Sequence, residues 1–184
     1  SFTLCNMKKV NLAGMNLSTC VLTDSDLSEA NLSGTNLERS KCAQVNFSKA
    51  TMTGCVLKKS LFNTADFTKA ILDAADFSGS DLRCARFERA SLKSTNFSHA
   101  TMDRVELNYA DCEGALFNGV KMPFSDLSHA QLASADFANA DLKQSLLHRI
   151  NDQNTNWKGA NKKRIATTDR CLAEAEDWKP PNSP

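Results

Sequence analysis

The chain has 184 residues, 41% of them apolar and 23% charged, and its 22 Lys and Arg are set against 21 Asp and Glu for a formal net charge of +1. These values predict a single soluble domain. No apolar run approaches the roughly 20 residues of a bilayer-spanning helix, so a transmembrane segment is excluded.

No basic and apolar leader opens the sequence, and Ser1 in place of Met points to a processed or excised start. From Phe2 onward every fifth position is Leu, Phe, Met or Cys, without a break as far as Leu147. The beat is clearest in Ala65-Asp66-Phe67-Thr68-Lys69-Ala70-Ile71-Leu72-Asp73-Ala74-Ala75-Asp76-Phe77. A period of five fits neither the 3.6 residues of an α-helix nor the alternation of a strand. Two residues before each large side chain stands a small one, as at Ala30, Ala65 and Ala140. Each unit therefore sends one large and one small residue inward and three polar ones outward. Such a chain winds into a tube whose turns bury their apolar faces against one another. Because Phe2 is already in the inward register, the start is expected to be an exposed end or to follow an upstream domain.

Units such as Ala30-Asn31-Leu32-Ser33-Gly34 and Ala135-Asp136-Phe137-Ala138-Asn139 resemble those of the pentapeptide-repeat family, and the likeness covers about residues 1–160. The resemblance implies an all-β solenoid, a right-handed quadrilateral β-helix with four pentapeptides per coil. Residues twenty apart should then stack. Phe47, Phe67 and Phe87 would form one aromatic ladder, and Phe77, Phe97, Phe117 and Phe137, continued by Trp157, a second. Gly14, Gly34 and Gly54 would form a tight corner, where the later Ala74, Ser94 and Ser134 suggest that positive φ is not compulsory.

The seven cysteines do not form a disulfide framework on this reading. Cys5, Cys20 and Cys55 occupy small inward sites, Cys42 and Cys112 large ones, and only Cys84 and Cys171 lie outside the inward register. Free thiols favour a reducing compartment, so a cytoplasmic location is expected. The alternative is secretion into a host cell as an effector.

Residues 1–150 are expected to be the regular β-helix and residues 151–165 a degenerate last coil, because Asp152 puts a charge in the inward slot and regular coiling should falter there. Residues 166–184 read as a capping helix with a Pro-rich tail. Thr167 or Thr168 would N-cap it, Cys171, Leu172, Ala175 and Trp178 would form its apolar face, and Pro180 and Pro181 would stop it. The helix is expected to lie across the open end of the tube, or else to serve as a homodimer face.

A filled tube with flat faces offers no concave site, so no catalytic residue is assigned. His99, His129 and His148 all fall at outward positions, and no Cys-X-X-Cys or Cys/His spacing of a zinc site occurs, so neither metal nor cofactor is expected. One outward column is unusual: Lys9, Glu29, Lys49, Lys69, Arg89, Tyr109, His129 and Arg149. Stacked like charges repel. The column is therefore either a solvated mixed face or a ridge for an acidic protein surface or a phosphate. Lys49, Lys69, Arg89, Tyr109, His129 and Arg149 are its binding candidates, and Phe124, the one outward phenylalanine, is a further one.

Three functions are compatible with this sequence. The first is a non-enzymatic scaffold that binds another protein, of unknown identity. The second, which the resemblance permits, is a DNA-mimicking regulator or protector of DNA gyrase, and the third is the targeting domain of a bacterial effector. Mimicry is disfavoured by charge, since duplex DNA carries about one negative charge per 1.7 Å of axis, whereas Lys and Arg match Asp and Glu over residues 1–150. Direct nucleic-acid binding is not expected.

Overall fold

A computed structural model describes residues 1–178; the Pro180-Pro181 stop and the expected tail lie outside the described residues. The backbone winds in coils of twenty residues. Parallel bridges join each coil to the next at a constant offset, from Asn6 with Asp26 to Leu146 with Ala166. The result is a right-handed four-sided β-helix.

Counting the donors of a single unit explains its sequence. In Ala65–Lys69, the Ala65 N–H closes a turn onto the Phe62 carbonyl at 3.0 Å. Asp66 N–H donates backward to Val45, while Phe67 and Lys69 donate forward to Arg86 and Glu88. Thr68 N–H is left over, and the Asp66 carboxylate accepts it at 2.9 Å. The Asp or Asn before each large residue thus caps the one amide that the coil leaves unpaired, as Asn46 does for Ser48 and Asp136 for Ala138. Inward Ser and Thr obey the same rule: Ser60, Ser80 and Thr95 donate their hydroxyls to carbonyls of the coil before.

The corners differ from expectation. Ala74, Ser94 and Ser134 have φ of 57°, 55° and 59°, and the same left-handed conformation recurs at every fifth residue from Leu4 to Arg164. Positive φ is compulsory there, because it is the third residue of a tight turn and its N–H is committed to the next coil, as Ala74 is to Lys93 at 2.8 Å. A left-handed residue costs about 1–2 kcal/mol, and the surrounding bridges hold it in place.

Inside, Phe47, Phe67 and Phe87 stack with centroids 5.1 and 4.8 Å apart. Phe77, Phe97, Phe117 and Phe137 stack in a second column, which Trp157 continues at 4.5 Å. The two ladders meet edge to face, as in the Phe87–Phe97 pair at 84°. Such pairs add about 0.5–1.5 kcal/mol each beyond burial. Cys42, Cys55 and Cys112 are buried and unbridged, and burial raises the thiols of Cys42 and Cys55 to about 12.

Coiling does not falter at Asp152. Bridges continue through Asn151, Asn156 and Asn161 to Ala166, and Asp152 itself is exposed. Among the described residues no further coil stacks on this one, so the inward carboxylate keeps its water and incurs no burial cost.

One helix follows, α1 (Arg170–Asp177). Its N-cap is Asp169, whose carboxylate accepts from Leu172 N–H at 2.9 Å, rather than Thr167 or Thr168. Thr168 instead accepts the Arg149 N–H at 3.0 Å. Although α1 forms as its apolar pattern predicts, it docks on the flank of the last coils rather than across the open end. Leu147, Ile150, Asp152 and Trp157 line a hollow at that end to which α1 contributes no residue. Among the described residues, no helix is long and apolar enough to cross a membrane.

Candidate functional site: a stacked corner ridge and the helix docked on it

The seven sequence candidates share one backbone feature, the left-handed third position of a corner turn, which projects their side chains outward. Lys49, Lys69, Arg89, Tyr109, His129 and Arg149 follow one another along a single corner. Phe124 occupies a different corner, where Arg104 packs over its ring at 5.5 Å.

Along the ridge the groups interlock. The Arg89 guanidinium lies 4.9 Å from the Tyr109 ring centroid, and Tyr109 stacks on His129 at 4.5 Å and 3°. Repulsion is relieved by partners: Glu29 takes Lys8 and Lys9 at 3.3 and 3.5 Å, and Glu88 takes Arg89 at 3.3 Å. Lys49 and Lys69 remain exposed between these pairs.

At its C-terminal end the ridge is clamped by α1. Glu176 meets His129 Nε2 at 3.4 Å, His148 Nε2 at 3.2 Å and an Arg149 nitrogen at 3.3 Å, while Asp177 takes the other Arg149 nitrogen. A hydrogen bond from His148, with the charge of His129 nearby, holds the Glu176 carboxyl below the usual glutamate range. The Asp177 carboxylate raises the Arg149 guanidinium above its ordinary value. His148, expected to point outward, is 7% exposed, because α1 and its leading residue Asp169 cover it. Asp169 N–H donates to His148 Nδ1 at 3.3 Å, which leaves the ring proton on Nε2, facing Glu176.

Between α1 and the flank lies a groove of about 340 Å³ lined by Tyr109, Asp126, His129, Leu146, Leu172 and Glu176 among others. Sequence reasoning identified the ridge and missed this cluster. His148 and Glu176 carry no motif spacing; the only signal was a pair of histidines nineteen residues apart, one short of a coil.

Fold and site together define a four-sided β-helical solenoid whose interior is filled by its own side chains and on whose flank one helix docks. The chain belongs to the pentapeptide-repeat family: the family described as Pentapeptide repeats matches in eight copies over residues 1–39, 40–79, 70–108 and 110–149. No relative is found among curated proteins. Among solved structures, a trypsin-treated QnrB1, a plasmid-mediated fluoroquinolone resistance protein, is 19% identical with a TM-score of 0.51, covering 95% of this chain and 93% of its own. HetL, a pentapeptide repeat protein involved in heterocyst differentiation regulation from the cyanobacterium Nostoc sp. strain PCC 7120, is 22% identical with a TM-score of 0.36, covering 90% and 88%. Rfr23 from the cyanobacterium Cyanothece 51142 is 21% identical with a TM-score of 0.42, covering 65% and 88%. At these identities the likeness concerns the fold alone.

Proposed function

We propose that this protein is a non-enzymatic interaction rod that presents the ridge Lys49, Lys69, Arg89 and Tyr109 to an acidic surface of another protein. The observation that carries this reading is the Arg89–Tyr109–His129 stack, with spacings of 4.9 and 4.5 Å. It is an ordered row of the residue types that anchor protein interfaces, held rigid before any partner arrives. The interior supports the same reading. Phe67, Phe97 and Phe117 are fully buried, so function falls to the outer surface.

The acidic face that DNA mimicry would need is interrupted. Arg86 stands in the column of Asp66 and Glu106, 3.8 and 3.1 Å from their carboxylates. Gyrase supercoiling is accordingly expected to be unaffected by stoichiometric protein.

The test is affinity capture with the native chain and with a Lys49→Glu, Lys69→Glu, Tyr109→Ala variant. Partner recovery should be lost in the variant at an unchanged Tm, and recovery by the native chain should weaken with salt. Equal recovery by both proteins would overturn the reading.

A further inference from the structure

We propose that His129, His148 and Glu176 form a binding site for a borderline divalent cation of the Zn²⁺ class, which staples α1 to the flank of the β-helix. Their three ligand atoms lie within 4.8 Å of one another. Both imidazoles present Nε2 to the same carboxylate, at 3.4 and 3.2 Å. In a tetrahedral site with metal–ligand bonds near 2.0–2.1 Å, neighbouring ligand atoms are separated by about 3.3 Å. The two observed spacings are close to that value, although His129 faces Oε1 and His148 faces Oε2, so convergence on one ion requires the carboxylate to turn one oxygen toward both rings. Two imidazoles and one carboxylate form a donor set of borderline softness, suited to Zn²⁺, Co²⁺ or Ni²⁺ rather than to Ca²⁺ or Mg²⁺.

The backbone supplies the preorganisation. His129 N–H donates to the His148 carbonyl at 2.8 Å, which ties the two residues to adjacent coils of a rigid ladder. The ring of His129 is further fixed by its stack on Tyr109. Only Glu176 comes from a separate element, so a cation here links the end of α1 to the tube and leaves a fourth position facing the groove. Asp126 lines that groove as well and adds negative charge to its wall.

Two groups oppose the ion. Arg149 lies 3.3 Å from Glu176, but Asp177 also holds it, so it can yield Glu176 and keep a carboxylate. His148 Nδ1 accepts the Asp169 N–H over 3.3 Å, and ligation through Nε2 requires the ring proton to move to Nδ1 and that long bond to break. Both costs fall on the α1 side of the site, which the metal must draw into place.

The probes are Zn²⁺ and Co²⁺ added separately to the chelator-treated full chain. One equivalent of Co²⁺ should give the visible absorption of a tetrahedral centre, and Zn²⁺ should slow hydrogen exchange of the α1 amides. His148→Ala or Glu176→Ala should weaken Zn²⁺ binding by at least about tenfold, while far-ultraviolet circular dichroism shows the β-helix intact. Arg149→Gln separates this site from a plain hydrogen-bond clamp: it should tighten Zn²⁺ binding by removing the competing cation. No tetrahedral Co²⁺ spectrum, unchanged affinity in both alanine variants, weaker binding in Arg149→Gln, or loss of binding in Cys171→Ser instead would each overturn the proposal.

Discussion

Phe97 and Trp157 occupy the same column in the same inward register, yet Phe97 is fully buried and Trp157 only half-buried. Phe97 has a coil on both sides, whereas Trp157 keeps the same register in the last coil and has one on one side only. Solenoid burial therefore belongs to the stack rather than to the unit. Where the stack ends, the chain turns from repetition to specific ionic contacts, and Glu176 and Asp177 at the end of α1 anchor what apolar packing does not.

The contrast can be broken by placing one charge at the two ends of this comparison. Phe97→Asp should cost on the order of 5 kcal/mol or more, combining the loss of a core aromatic with an unpaired buried carboxylate, and should abolish the folded ladder. Trp157→Asp should cost much less, about 1–2 kcal/mol, because the last coil already carries an exposed Asp152. Thermal melts of the two variants give the comparison directly, and equal losses would mean that burial does not depend on stacking from both sides.

A smaller effect tests the amide cap. Asn46→Ala removes the acceptor of Ser48 N–H, 2.9 Å away, and should cost about 1 kcal/mol by analogy with a lost helix cap. Asn46→Asp should be nearly neutral, since a carboxylate oxygen accepts the same bond, as Asp66 does. Denaturant midpoints with unchanged slope would distinguish the two. A neutral alanine variant would show that the cap follows the coil rather than supporting it.

The smallest effect is a dependence on pH. Hydrogen bonds from Ser28 hold Asp26 below its ordinary 3.8, and hydrogen bonding from Arg83 does the same for Asp81. A carboxylate depressed in the folded state binds its proton more readily when unfolded. Its contribution is therefore complete above its ordinary value and is lost as pH falls through the lower folded value. Stability should be flat near neutrality and decline in that acid range. Asp81→Asn should flatten part of the decline in an unfolding series across pH.

The tube, its inward register, the two aromatic ladders and the existence of α1 were all legible in the sequence. Each arises from contacts at one fixed separation, twenty residues along the tube or three to four along the helix, so a local pattern repeats often enough to be read. The fate of most cysteines followed from the same register: Cys42, Cys55 and Cys112 stand inside it and are buried, Cys84 and Cys171 stand outside it and are exposed, and Cys5 and Cys20, inward but near the first coil, are only half-buried. Only the folded chain decided the rest. Positive φ at Ala74 and Ser134 is imposed by the coil above, and although every glycine of the chain falls at such a corner, most corners hold other residues, so the conformation is not legible from any one of them. The tolerance of Asp152 depends on nothing stacking over it, a property of its place in the stack rather than of its neighbours in sequence. His148 is buried, and joined to Glu176 across 28 residues, because α1 folds back along the flank. That docking is a single event without a period, decided by which side chains meet in space.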